Sequence, residues 1–279
     1  MVDVNSLESH FTGKTGAQLH YYKFGAGDPV IMIHGGGPGA TGISNYRRNA
    51  EVLAEHFTVY VIDLPGYGKS DNTIGESGLY DVISDSVLEF MDELKIDKAS
   101  FIGNSLGGGT SLKVAVKAPS RVDRLVLMGT GGGVPMFTPT PTEGLNRMLT
   151  FYDGDGPTME KLRRVIDLLV FDPSEITDEL LEERMKAATQ PQTLANPPLA
   201  RRGHPSKEVW REPLHELTHK TLLIWGREDR VVPLDSAFIF LKTMPNASLH
   251  VFPKCGHWAQ WEKADEFNVL VSRFLKSKD

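Results

Sequence analysis

Ala99-Ser100-Phe101-Ile102-Gly103-Asn104-Ser105-Leu106-Gly107 decides how this chain folds. The apolar run Ala99–Ile102 reads as a buried strand, and the stretch from Leu106 to Ala118 reads as a helix. Between them Gly-x-Ser-x-Gly makes a sharp strand-to-helix turn that leaves a serine exposed at its apex. Small residues flank Ser105 because such a turn crowds the backbone. The helix N-terminus beside it favours negative charge developing there. A glycine-rich turn with an incidental serine has the same five residues; the flanking strand and helix favour a nucleophile.

Working outward, the runs Val30–His34, Phe57–Asp63, Leu125–Met128, Thr221–Trp225 and Ser248–Phe252 also read as buried strands, each bounded by Gly, Pro or Asp. The first of these alternate with helix-like segments. In Tyr80–Leu94, Ile83, Val87, Phe90, Met91 and Leu94 form a helical stripe able to face a sheet. Strand–helix alternation predicts parallel strands joined by crossover helices, hence an α/β fold with a mostly parallel central sheet. Residues 9–24 come before this rhythm and read as a hairpin of two added strands. After Met128 the rhythm stops. Pro-rich joints and helical stretches near 144–152, 158–170 and 177–189 follow, and Thr221 restores the strands. The division expected is a core over 1–134, a helical lid over 135–212 and a second part of the core over 213–279.

The bulk numbers suit this. A chain of 279 residues, 40% hydrophobic and 24% charged, fits one soluble α/β domain with an insertion. A net charge of −6 argues against nucleic acid as partner, because phosphate binding needs a basic surface. A small anion needs only one or two local cations. The single cysteine, Cys255, allows no internal disulfide, which fits a reducing compartment. The N-terminal residues lack the basic and apolar regions of a signal peptide, and no apolar run is long enough to span a membrane. These features point to the cytoplasm.

A serine hydroxyl needs a base to take its proton. Of nine histidines, His257 follows the last strand, in Lys254-Cys255-Gly256-His257-Trp258. Asp229 follows the strand Thr221–Trp225, in Gly226-Arg227-Glu228-Asp229-Arg230. The order Ser105, Asp229, His257 is the one expected when a nucleophile elbow heads the series. Alone, Asp229 would pass for a turn acid or helix cap, and Glu228 competes with it. His34-Gly35-Gly36-Gly37-Pro38-Gly39 follows the strand Val30–Ile33. Successive glycines let backbone N–H groups approach an oxyanion; Gly36 and Leu106 are the donors expected.

Several other patterns compete. Gly37-Pro38-Gly39-Ala40-Thr41-Gly42 is a G-x-G-x-x-G after a strand, with Asp63 roughly 20 residues further on, and imitates a dinucleotide fingerprint. It follows a hairpin rather than the first strand and leaves the serine series unexplained, so Asp63 reads as a turn residue entering Leu64–Gly68. Gly68-Lys69-Ser70 lacks the earlier glycine of a phosphate loop, since position 63 is Asp. His215-Glu216-Leu217-Thr218-His219 matches H-E-x-x-H, but Pro213 and the strand at Thr221 leave too little helix for a zinc site. Cys255 reads as a small packed residue.

The chain is similar to the α/β-hydrolase fold family over its whole length, and more narrowly to the meta-cleavage product hydrolases of bacterial aromatic-compound degradation. The resemblance rests on His34–Ala40 with Ser44-Asn45-Tyr46, on Gly103–Gly108, on Trp225–Pro233 and on Cys255–Glu262. It implies hydrolysis of a carbon–carbon bond in a 2-hydroxy-6-oxo-6-arylhexa-2,4-dienoate, giving an aromatic acid and 2-hydroxypenta-2,4-dienoate. Water is the co-substrate, and neither cofactor nor metal is used. The resemblance also implies a homo-oligomer, dimer or tetramer. By position in the lid, Arg184 matches the family's carboxylate-binding arginine, and the resemblance places Gly37, Asn45, Asn104 and Trp258 at the same substrate. Unaided, the sequence would not choose Arg184 over Arg163, Arg164, Arg201, Arg202 or Arg211. Met148, Phe151, Leu169, Trp210, Val231 and Val232 are candidates for an aryl pocket. The alternatives are a carboxylesterase of the same fold, a zinc protease, a nicotinamide-dependent reductase and a non-catalytic ligand receptor.

Overall fold

The computed structural model describes residues 8–14, 16–74, 78–133, 135–199 and 209–277. Arg201 and Arg202, and the boundary residue Val134, lie outside the described residues. In chain order the elements are β1 (Glu8–Thr12), β2 (Gln18–Phe24), β3 (Asp28–Ile33), α1 (Gly42–Tyr46), α2 (Ala50–Ala54), β4 (Phe57–Ile62), α3 (Leu79–Glu93), β5 (Ala99–Asn104), α4 (Leu106–Lys117) and β6 (Val122–Met128). There follow α5 (Glu143–Leu149), α6 (Met159–Leu169), α7 (Asp178–Ala188), α8 (Pro191–Ala195), β7 (Lys220–Gly226), α9 (Ala237–Thr243), β8 (Ala247–Phe252), α10 (Ala259–Glu262) and α11 (Ala264–Lys276). Short 3-10 turns join some of them.

Among the described residues the strands form one eight-stranded sheet in the order β1-β2-β4-β3-β5-β6-β7-β8. β1 and β2 form the expected hairpin, which pairs antiparallel with β4; every other pairing is parallel. Successive side chains of a strand point to opposite faces, and here both faces are covered. Ile31, Ile33, Phe101, Leu125, Leu127 and Leu223 pack under α3, α4 and α9. Val30, Met32, Ile102, Val126, Leu222 and Ile224 pack under α1, α2, α10 and α11. Two buried faces explain why these strands read as continuous apolar runs rather than alternating ones.

The chain runs from β3 out to β4 and then back across β3 to β5. Such a reversal opens a crevice at the carboxyl ends of the strands, where ligands bind in open α/β sheets. Tyr46 braces this point from below. Fully buried, its hydroxyl donates to Ile33 O at 2.8 Å and lies 3.3 Å from Ile102 O, so it bridges the ends of β3 and β5.

Helices α5 to α8 stand between β6 and β7, where helical stretches are expected. The side chains of Thr142, Thr158 and Thr177 cap α5, α6 and α7 by accepting N–H bonds. Their apolar stripes form a separate core of Leu162, Ile166, Leu169, Leu180 and Leu181, which reaches the main domain through Val231, Trp258 and Trp261. Among the described residues no helix is long and apolar enough to cross a membrane.

Removing the Tyr46 hydroxyl leaves the buried Ile33 carbonyl without this donor. Tyr46→Phe is expected to lower unfolding stability by about 1–2 kcal/mol, read from the urea midpoint.

Candidate active site

Ser105 sits at the apex of the turn between β5 and α4 with φ +53°, a left-handed conformation that L residues avoid. The turn is pinned by its backbone: Ser105 N–H donates to Met128 O at 2.8 Å, and Ser105 O accepts from Gly109 N at 3.1 Å and Gly131 N at 2.9 Å. The two flanking glycines are obligatory. A Cβ on Gly103 would fall 2.4 Å from Gly107 O, and one on Gly107 would fall 2.1 Å from Ile33 O.

Two loops bring Asp229 and His257 together. Asp229 Oδ2 lies 2.7 Å from His257 Nδ1, with both side chains buried. Asp229 Oδ1 accepts from Val231 N at 2.8 Å and Val232 N at 2.9 Å, so the whole carboxylate is occupied. Trp225, buried in the sheet, donates its indole N–H to Val232 O at 2.8 Å and anchors that loop. A carboxylate on Nδ1 places the imidazole proton there and leaves Nε2 able to accept a proton. The competitor Glu228 turns away, accepting from Cys255 N at 3.0 Å and pairing with Arg227.

Sequence reading gave Gly129 no role, yet it makes room for this pair. Its φ is +45°, and a Cβ there would lie 2.7 Å from His257 Nδ1 and 3.0 Å from Asp229 Oδ2.

The glycine loop is oriented by two side chains that the sequence reading left unassigned. His34 Nε2 lies 3.0 Å from the Leu64 N–H, which can only donate, so the proton sits on Nδ1, 2.8 Å from Gly35 O. Burial holds His34 below its ordinary pKa, which keeps this neutral form. Because a trans peptide points its C=O and N–H in opposite directions, fixing Gly35 O against His34 aims the Gly36 N–H the other way. Tyr67 then holds Gly36 O at 3.0 Å. Leu106 is the first residue of α4, where the N–H has no partner within the helix.

Gly35, Gly36, Gly37, Asn45, Asn104, Ser105, Met148, Leu169, Arg184, His257 and Trp258 line one small cavity. It therefore gathers eight of the ten residues singled out from the sequence. Asp229 stands behind His257, and Leu106 offers its backbone alone. Arg184, on α7, is 1% exposed and donates to Pro38 O at 2.8 Å, while its Nε and Nη1 have no partner. Its guanidinium lies 5.0 Å from the Trp258 ring centroid. Burial draws its pKa down to about 10, so it remains charged at neutral pH. Its neighbour on α7, Glu183, pairs with Arg47 rather than with Arg184. Both side-chain polar atoms of buried Asn45 are unpartnered. Asn104 does not cap α4; its amide lies 3.3 Å from His257 O, and its Oδ1 is unpartnered.

The model for the α/β hydrolase fold matches residues 28–264. A 2-hydroxy-6-oxo-6-phenylhexa-2,4-dienoate hydrolase of Burkholderia cepacia is 43% identical, over 94% of this chain and 93% of that protein. A 2-hydroxy-6-oxononadienedioate/2-hydroxy-6-oxononatrienedioate hydrolase of Escherichia coli K12 is 41% identical, over 94% of this chain and 92% of that protein. The solved meta-cleavage product hydrolase of Pseudomonas fluorescens IP01 superposes with a TM-score of 0.83 at 34% identity, covering 97% and 98% of the two chains. This chain belongs to the α/β-hydrolase fold family, and within it to the family of the meta-cleavage product hydrolases.

The remaining motifs of this hydrolase are structural. Asp63 is more than the turn residue read from sequence. It is 2% exposed and accepts from His20 Nδ1 at 2.8 Å, Gly42 N at 2.7 Å and Lys69 N at 3.0 Å. Burial opposes its charge, but His20 and these donors outweigh burial and hold its pKa below the usual carboxylate range. His215 lies in a 3-10 turn, Leu214–Glu216, and His219 beyond it contacts Pro119 O at 2.9 Å, so no H-E-x-x-H helix forms. Cys255 is buried, and burial pushes its thiol pKa up. Glu262 escaped notice as anything beyond a family marker. Its Oε2 accepts from Gly256 N at 2.6 Å, and its Oε1 accepts from Phe171 N at 2.7 Å, just beyond α6. Among the aryl-pocket candidates, Met148 and Leu169 line the cavity, whereas Phe151 and Val231 belong to the core of the inserted helices.

Asp229→Asn removes the charge facing His257 but keeps the shape. It is expected to lower kcat by roughly 10²- to 10⁴-fold, while Glu228→Gln leaves kcat within a few-fold, measured in steady state. Gly129→Ala should lower kcat without altering Asp229 or His257 themselves.

Proposed function

We propose that this enzyme hydrolyses the C5–C6 bond of a 2-hydroxy-6-oxo-6-arylhexa-2,4-dienoate, with Ser105, His257 and Asp229 as its catalytic triad. The observation that carries the reading is Arg184. A buried guanidinium with two unpartnered N–H-bearing atoms, beside an unpartnered Asn45, lines the cavity shared by Ser105 and His257. Burying a cation without a counter-charge is costly. An anionic ligand offsets that cost, and a guanidinium grips a carboxylate through two parallel bonds. The two relatives named above act on dienoates or dienedioates, and both substrate classes carry such a carboxylate.

The chemistry requires that a carbon depart. A simple carbanion is far too basic, but once the C2 enol has become a ketone the departing carbon delocalises its charge into that carbonyl. Arg184, Asn45, Asn104 and Gly37 hold the carboxylate–enol end, and Trp258 packs against the diene. His257 moves the proton that makes the ketone and then draws the proton from Ser105 or water. Attack at C6 forms a tetrahedral oxyanion held by the N–H groups of Gly36 and Leu106. Loss of one such donor typically costs about 3 kcal/mol. Its collapse breaks C5–C6, the electron pair passes along the chain to the C2 oxygen, which takes a proton to give the dienol, and water supplies the hydroxyl of the released acid.

Residues 135–212 act as the lid in this reading, joined to core segments 1–134 and 213–279, with Met148 and Leu169 on its inner side. The apolar lining supports an aryl substituent at C6. We take the enzyme to work in the cytoplasm, a reducing compartment that its single cysteine suits, and as a homo-oligomer, as the family resemblance implies.

Ser105→Ala should abolish turnover of the yellow phenyl dienoate, followed by its visible absorbance; full activity would remove Ser105 as nucleophile. Arg184→Ala should raise KM about tenfold or more through loss of charged hydrogen bonds. With wild-type enzyme, kcat/KM for the phenyl dienoate should exceed that for the dienedioate. The reverse order would overturn the aryl assignment, and nitrophenyl esters far ahead of both would make the enzyme a carboxylesterase.

A further inference from the structure

The outer hairpin holds a polar cluster that the hydrolytic reaction does not use. Glu8 and His10 are two residues apart on β1, so they share a face. His20 on β2 is the direct cross-strand partner of His10, close enough for the two side chains to meet. The nitrogen and carboxylate oxygen atoms that these three residues can offer all lie within 4.8 Å of one another.

His20 is 1% exposed. Its Nδ1 lies 2.8 Å from Asp63 Oδ2, and its Nε2 lies 2.9 Å from Glu8 Oε1 without the alignment of a hydrogen bond. A neutral imidazole has one N–H. Spent on Asp63, it leaves a buried lone pair at Nε2 facing a carboxylate oxygen. Two acceptors at this distance need a cation between them or a second proton on the ring. Asp63 orients the ring from behind, as a carboxylate does for a metal-binding histidine. Tyr22, opposite Glu8 on β2, packs edge-on against the His20 ring with centroids 4.9 Å apart and walls one side. Lys69 also pairs with Glu8, but its side chain is 53% exposed and free to withdraw.

We propose that Glu8, His10 and His20 form a binding site for a divalent cation of the zinc class. Two imidazoles and a carboxylate suit zinc, copper or nickel, and water completes a four-coordinate shell around zinc. The bound ion fastens β1 to β2. Through His20 and Asp63 it also secures the hairpin to the Gly42 N–H that begins α1.

The test uses the full-length enzyme stripped with a chelator and titrated with zinc chloride by calorimetry near neutral pH, with thermal unfolding measured in parallel. Micromolar binding is expected, with a rise in Tm. His10→Ala and Glu8→Gln, both near the surface, should each weaken binding by at least about tenfold and abolish the rise in Tm. Turnover of the phenyl dienoate should be unchanged in both variants. No binding by wild type, or equal binding by wild type and both variants, overturns the proposal. Neither result depends on which substrate the enzyme hydrolyses.

Discussion

The contact between Asp229 and His257 constrains most of the carboxyl edge of this sheet. The two residues lie on loops leaving the adjacent parallel strands β7 and β8, whose ends are level: Gly226 pairs with Phe252. For the carboxylate to reach the ring, both loops must fold inward, and β6 must end in a residue without a side chain. Gly129 meets that demand. The N–H groups of Val231 and Val232 then occupy the other oxygen of the carboxylate, and the indole of Trp225 holds the loop at Val232 O. The local architecture is a set of restraints on one hydrogen bond.

The cavity in front of this pair is shaped by a different balance. Its walls are small and partly apolar, yet it contains a buried guanidinium and an asparagine with both polar atoms unengaged. In a folding-only account those groups are a loss. The inserted helices that carry Arg184, packed through Leu162, Ile166 and Leu181 and capped by threonines, hold it in place. On the other side, His34 and Tyr67 fix the carbonyls of Gly35 and Gly36, so the peptide groups facing the cavity are set before any ligand arrives.

Much of the fold was legible because its signals are local. β3, β5 and β7 are buried on both faces and read as apolar runs; Ser105 and Asp229 follow β5 and β7, and His257 follows the half-buried edge strand β8, in the chain order that the elbow predicts. What could not be read depends on burial or on distant contacts. Arg184 sits in an unremarkable acidic helix, and only packing separates it from its exposed neighbours. Asp63 lay in a misleading motif, and its three partners come from three separate segments. Gly129 follows a strand as many glycines do; the atoms it accommodates are about a hundred residues or more further along the chain. Short helices such as α1, α2 and α8 span about one turn each, too little for a periodic pattern to register.

Glu262 has a consequence for how the enzyme works as a machine. One carboxylate ties the residue before His257 to the chain leaving α6, and Trp258 N–H reaches Leu169 O on that same helix at 3.0 Å. Helix α6, whose end lines the cavity, is thus bonded to the very loop that presents the imidazole. The wall that closes the cavity and the loop that carries its base are therefore one connected piece rather than two independent parts.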